Sequence, residues 1–187
     1  YTRAGIAAIV GAYILAAAFL VAMVRTPFGR HGFGIMVWDI WSPHTSQRIV
    51  DPYSFSHLIH GFLFFGILWL VARRLPVQWR LLIAVVLEAG WEILENSPII
   101  INRYREATIA LGYSGDSVIN SMSDILMMLL GFLFASKVRA WQSAATLLAM
   151  ELGCLLCVRD NLTLNVIMLI HPVEAIKAWQ AAGQPHP

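Results

Sequence analysis

Two histidines, His57 and His60, stand three residues apart in an apolar stretch, so a helix carries both on one face. Thirty residues on, Glu88, Glu92 and Glu95 recur at i, i+4 and i+7, one stripe of a second helix, and Asp116, Asn120 and Asp124 at i, i+4 and i+8 make a third. Between the last two stripes lies a polar crossing with Asn102, Arg103 and Arg105. Imidazole nitrogens near carboxylate oxygens suit zinc, iron or manganese, and helical bundles build such centres from inward-facing Glu and His. The ligand set expected on this reading is His57, His60, Glu92 and Asp116, holding a divalent transition metal that activates water. A metal-free reading assigns acid–base work to Glu88, Glu92, Glu95, Asp116 and Asp124, with Asn120 beside them and Arg103 or Arg105 holding an anionic group. A third reading needs no ligand: the histidines hydrogen-bond the acids and lock the bundle.

Those residues sit in a chain whose solvent is not water. Of 187 residues, 58% are hydrophobic and 13% charged, about half the charged share of a soluble domain. Ionisable groups in membrane segments each cost a few kcal/mol at mid-helix, so this many in one chain calls for a purpose. A net charge of +2 is too small to argue for nucleic acid. Cys154 and Cys157 have CxxC spacing inside an apolar run without a thioredoxin-like context, which reads as packing by free thiols. No Gly-rich phosphate loop or nucleophile elbow is present.

Apolar runs near 20 residues recur along the chain, so residues 1–187 read as a single integral membrane domain, an all-α polytopic transmembrane bundle of about five spans with two interfacial amphipathic segments. The expected spans are Gly5 to Val24, Tyr53 to Ala72, Leu81 to Glu95, Asp116 to Ser136 and Trp141 to Val158. The first is followed by Arg-Thr-Pro-Phe-Gly-Arg and reads as a retained helix. One interfacial segment, with His31, Trp38, Trp41 and His44, follows it as a short helix or folded loop; the other is the tail around Glu174, Lys177 and Trp179. Asp51 and Pro52 open the second span, and Pro98 closes the third. Glu151, alone within the fifth, is expected to face either an Arg or the cavity.

The turns holding Arg73, Arg74 and Arg80 and holding Lys137 and Arg139 carry excess positive charge, which sets both in the cytoplasm. The start of span two, the end of span three, the start of span four and the end of span five then meet at the outer face, where the polar residues concentrate. The expected site is an outward-facing polar cavity, with the C-terminal tail on the periplasmic side.

The segments DPYSFSHLIHG, EAGWEILENSPIIINRYRE, GDSVINSMSD and RDNLTLN resemble an uncharacterised bacterial family of polytopic membrane proteins, over most of the chain after Arg48. More distantly, the pattern is similar to VanZ-like membrane proteins: an acid and His opening one span (Asp51 with His57 or His60), Glu with a polar partner ending the next (Glu92 with Glu95), an Arg (Arg103 or Arg105), then Asp-x-x-x-Asn (Asp116 with Asn120). The glycine that usually follows the Asn is replaced around Ser123 and Asp124. The resemblance implies a bacterial inner-membrane protein with an envelope role. Two function classes follow: an envelope- or lipid-modifying enzyme among membrane lipids, metal-assisted or acid–base, and a non-catalytic accessory or assembly subunit of a larger membrane complex.

Overall fold

A computed structural model describes residues 1–30 and 32–184; His31, placed by the sequence in the first interfacial segment, lies outside them. The architecture is all-helical: α1 Arg3–Ala22, α2 Ser54–Val71, α3 Val77–Glu95, α4 Pro98–Ala107, α5 Val118–Ala135, α6 Ala140–Val158, α7 Leu162–Ile170 and α8 Glu174–Ala181. Among the described residues the sole β pairing is an isolated bridge between Met36 and Val50. Four helices, α1, α2, α5 and α6, are long and apolar enough to cross a membrane. The expected third span, α3, equals them in length with 19 residues but carries Arg80, Glu88, Glu92 and Glu95, so composition sets it apart from that group.

Side-chain pairings fix how the helices run. Ser54 reaches Asp124, and Phe62 packs on Phe134, so α2 and α5 are parallel. On α1, Tyr13 donates to the Met122 carbonyl and Arg25, beyond its C-terminus, to the Asp116 carbonyl, so α1 runs against α5. Gln78, at the start of α3, pairs with Thr2 at the start of α1, which makes those two parallel. Both basic turns, after α2 and after α5, therefore lie at one end of the bundle, and all the long connections lie at the other.

Close contact between α2 and α5 depends on two glycines. A Cβ on Gly61 would collide with the Met128 carbonyl and sit 2.5 Å from the Phe132 nitrogen; one on Gly131 would strike the Leu58 carbonyl. Small residues at a helix crossing let the backbones approach, the main source of association where lipid is as apolar as the interface. Around this seam lies the apolar core of Leu20, Leu81, Ala84, Val85, Ile125, Met128 and Phe132.

The stripe that buries α3 is continuous in direction and changes in chemistry. Leu81, Ala84, Val85, Glu88, Glu92 and Glu95 all face inward, the spacing of one helical face. Its first half meets hydrocarbon side chains, and its second half meets the polar start of α2.

One connection takes a form the sequence allows, and two details differ from expectation. Among its described residues the segment after α1 contains no helix; of the two expected forms it is the folded loop, pinned where Gly29, at φ 85°, passes the Gln47 carbonyl, a position only glycine fills without strain. Helix α5 begins at Val118, capped by the Ser117 hydroxyl, because a cap residue must be non-helical and accept a backbone N–H; Asp116 thus lies before the helix. Glu151 meets neither an Arg nor a cavity but the next helix: its carboxylate accepts the backbone N–H groups of Leu162 (3.0 Å) and Thr163 (3.2 Å), satisfying free donors at the start of α7.

Candidate functional site

His57, on the buried face of α2, is the hub of the polar end. Its Nδ1 lies 2.6 Å from Glu88 Oε1 and 3.3 Å from Glu92 Oε1, and its Nε2 lies 3.9 Å from Asp124 Oδ2. His60, one turn on, places its Nδ1 3.0 Å from Glu88 Oε1 and 3.1 Å from Oε2. Glu88 therefore grips both imidazoles. Asp124 accepts the Ser54 hydroxyl at 3.0 Å, and Glu95 faces the Tyr104 hydroxyl of α4. Carboxylates from α3 and α5 converge on one face of α2.

Glu92 is the exception in an otherwise paired cluster. It is 0% exposed, and neither carboxylate oxygen receives a hydrogen bond; the nearby His57 nitrogen is directed at Glu88. A buried charge left without compensation is among the most costly arrangements in a folded chain. Asp51, Glu88, Glu92, Glu95, Asp116 and Asp124 are all buried, so acids outnumber imidazoles here and the cluster has room for positive charge. Ligand atoms from His57, His60 and Glu88, and from His57, Glu92 and Glu95, come within 4.8 Å of one another.

The other expected site residues lie around this cluster. Asp116 is held by Asn96 Nδ2 (3.1 Å) and Tyr113 Oη (3.0 Å). It is absent from both ligand groups among the described residues, since the loop before α5, with Gly115 at φ 81°, takes it off the helical stripe. Asn120 donates to the Arg48 carbonyl at 2.8 Å, tying α5 to the folded loop. Arg103 donates to the Leu169 and Ile170 carbonyls (2.8 and 3.2 Å) and so joins α4 to α7; α4 turns its cation away from the carboxylates. Arg105 donates to the Tyr113 carbonyl. The guanidinium beside the Asp116 backbone is Arg25, whose position just past α1 gave no hint of this.

Burial also raises the proton affinity of the surrounding shell. It pushes Asp116 and Asp51 above the ordinary carboxylate value, although backbone N–H groups of Ser46, Tyr53 and Ser54 pull Asp51 back. The Tyr53, Tyr104 and Tyr113 hydroxyls are raised well above the usual phenol range by burial and then by neighbouring carboxylates. Sequence reading passed over Ser54, Asn96, Tyr104 and Tyr113 as members of this shell. Ser54 alone carried a signal, three residues before His57 on the same face.

In place of an open vestibule the structure presents a closed cluster: His57 is 7% exposed, Asp124 4% and Glu95 9%. His60 is its most open member, with 18% of its side chain accessible. A hollow of about 240 Å³ lies elsewhere, between the 38–41 loop, the end of α6 and α8. Cys154 and Cys157, both free thiols, are half-buried and exposed, not buried as the sequence suggests.

Fold and site together define a class: an all-helical protein with apolar helices suited to a membrane and a buried histidine–carboxylate cluster at one end of its bundle. Residues 20–182 match the family described as "Protein of unknown function (DUF2585)", and the chain belongs to that family. It is 54% identical over 173 residues to a UPF0314 protein of Sphingopyxis alaskensis, covering 90% of each chain. To the UPF0314 protein of Agrobacterium fabrum it is 48% identical over 180 residues, 95% of this chain and 89% of the other. A UPF0314 protein of Paracoccus denitrificans is 48% identical over 171 residues, 90% and 88% of the two chains. No solved structure matches.

Proposed function

We propose that this is a multi-pass protein of the bacterial inner membrane whose buried cluster holds a divalent transition metal and uses it to hydrolyse a lipid-linked or other envelope substrate. The observation that carries the reading is Glu92, a fully buried carboxylate without a donor, 3.3 Å from an imidazole that shares a second carboxylate with His60. A divalent cation held by His57, His60 and Glu88 would compensate the surplus of acid and polarise a water. Glu92 then serves as the base that takes the water's proton. Asp124, 3.9 Å from His57 Nε2, and Glu95 flank His57 and would orient it. The VanZ-like order of motifs and the polar end of the bundle favour an envelope-side site, with basic turns toward the cytoplasm and the C-terminal tail in the periplasm.

Metal analysis of the purified chain is the test. About one equivalent of zinc, iron or manganese is expected, lost in His57→Ala and Glu88→Ala. Glu92→Gln retains most of the metal but not the hydrolytic step, and the metal-free form of that variant melts higher than metal-free wild type, because an uncompensated carboxylate is gone. Metal below about a tenth of an equivalent and unchanged by His57→Ala rejects the centre. One observation favours the second reading, an accessory subunit of a larger complex: the cluster is closed by burial. Stoichiometric copurification of other membrane subunits, with normal folding but no metal, would support that reading.

A further inference from the structure

The hollow at the end of α6 has the composition of a headgroup site. Its walls are Trp38, Asp39 and Trp41 from the folded loop, Leu156, Cys157 and Val158 from α6, then Arg159, Gln180 and Gly183. Helix α6 has 19 residues, a length of about 28 Å, close to the hydrocarbon thickness of a bilayer. An end of a spanning α6 therefore falls at the level of the headgroups, where Trp side chains also settle. Leu156, in the same lining, is 82% exposed.

Three details mark the hollow as built. Arg159 closes α6 in the left-handed region, at φ 55°, where glycine or asparagine is usual; an arginine tolerates that strain at a cost of about 1 kcal/mol or more, in exchange for where its side chain is put. Its guanidinium uses Nη1 on the Trp179 carbonyl (3.1 Å) and lies 5.6 Å from the Trp179 ring centroid, which orients the remaining donors. Gln180 gives its amide nitrogen to the Arg159 carbonyl (3.1 Å) and Asp160 Oδ1 (3.0 Å). That pairing fixes the amide, and its Oε1 is buried without a donor in a residue only 2% exposed. In the same lining, Asp39 Oδ1 accepts the Trp41 backbone N–H at 2.9 Å, which sets the carboxylate and leaves Oδ2 for a ligand.

We infer that this hollow binds the headgroup of an amine-bearing phospholipid, its phosphate on Arg159, its ammonium on Asp39, and its acyl chain along Leu156. One cation and one anion in the same lining match a zwitterion; an anionic headgroup would leave Asp39 facing negative charge. This assignment is independent of the metal centre.

Native mass spectrometry of the full chain, exchanged into an equimolar mixture of phosphatidylethanolamine and phosphatidylglycerol, tests it. Wild type should retain one phosphatidylethanolamine in preference to phosphatidylglycerol, about fivefold or more given a charge-assisted contact at each end. Asp39→Asn should abolish the preference while keeping bound lipid, and Arg159→Gln should reduce retention of both lipids about tenfold. Trp38→Ala, half exposed and outside every helix though edge-on to Phe55, serves as a second variant, with its melting temperature checked beside wild type, and should weaken both lipids equally. Equal retention of the two lipids, insensitive to Asp39→Asn and Arg159→Gln, overturns the proposal. Displacement by soluble phosphoethanolamine at the same concentration as the lipid would show a free phosphomonoester site and overturn the lipid assignment.

Discussion

Replacing Gly61 with alanine adds one methyl group at the tightest crossing of the bundle. The new Cβ would lie 2.5 Å from the Phe132 nitrogen and against the Met128 carbonyl, where ordinary contact begins at 3.4 Å. Both obstacles are backbone, so no side chain can rotate aside, and α2 and α5 must separate locally by more than about 0.9 Å. Overpacking of this kind costs about 1–3 kcal/mol, which for a chain of this size lowers the melting temperature by roughly 3–12 °C. The site should register the same movement. His57 stands one turn before Gly61, and Asp124 is on the other helix, so the 3.0 Å bond from Ser54 to Asp124 lengthens with the gap. Gly66, on the same helix with open space around its Cβ position, is the control: Gly66→Ala should be neutral or slightly stabilising, since alanine is the better helix former. Thermal unfolding in detergent, followed by circular dichroism, makes the measurement. If Gly61→Ala melts within about 1 °C of wild type while Gly66→Ala behaves the same, the close-packed seam is wrong.

Acidity should tighten the end of α6. Asp160, outside the helix and pushed up to about 6 by burial against an ordinary 3.8, binds its proton more tightly folded than unfolded. Stability therefore rises as pH falls from about 6 to about 4 and is lost as pH climbs back through 6, a change on the order of 2–3 kcal/mol; Asp160→Asn should flatten that window in a pH series of melting curves. Arg103→Gln removes the donors to the Leu169 and Ile170 carbonyls, costing about 1–2 kcal/mol. Limited proteolysis should then cut more readily near residues 170–173. Metal content should not change, and a loss of metal in this variant would return Arg103 to the cluster.

The sequence by itself determined which helical segments and faces were available to meet. Period and hydropathy placed the helices to within a few residues, because a 3.6-residue stripe and an apolar run are local properties of the chain. The spacing of Glu88, Glu92 and Glu95 assigned them to one face, and α3 buries all of them. Matching polar ends of separate helices brought His57 and His60 to Glu88 in expectation as in the structure. Only the tertiary structure decided which groups touch. Asp116 and Asn120 share the helical spacing of Asp124, yet a Ser117 cap starts α5 late and the folded loop takes the Asn120 amide. Arg103 is as cationic as the site would need, but the direction in which α4 leaves Ser97 aims it at α7. Gly61 and Gly131 look alike with Gly66 in the sequence, and only the α2–α5 crossing separates those that must stay glycine. Contacts of this kind depend on backbone direction after a turn and on the distance between helix axes, neither of which any window of residues contains.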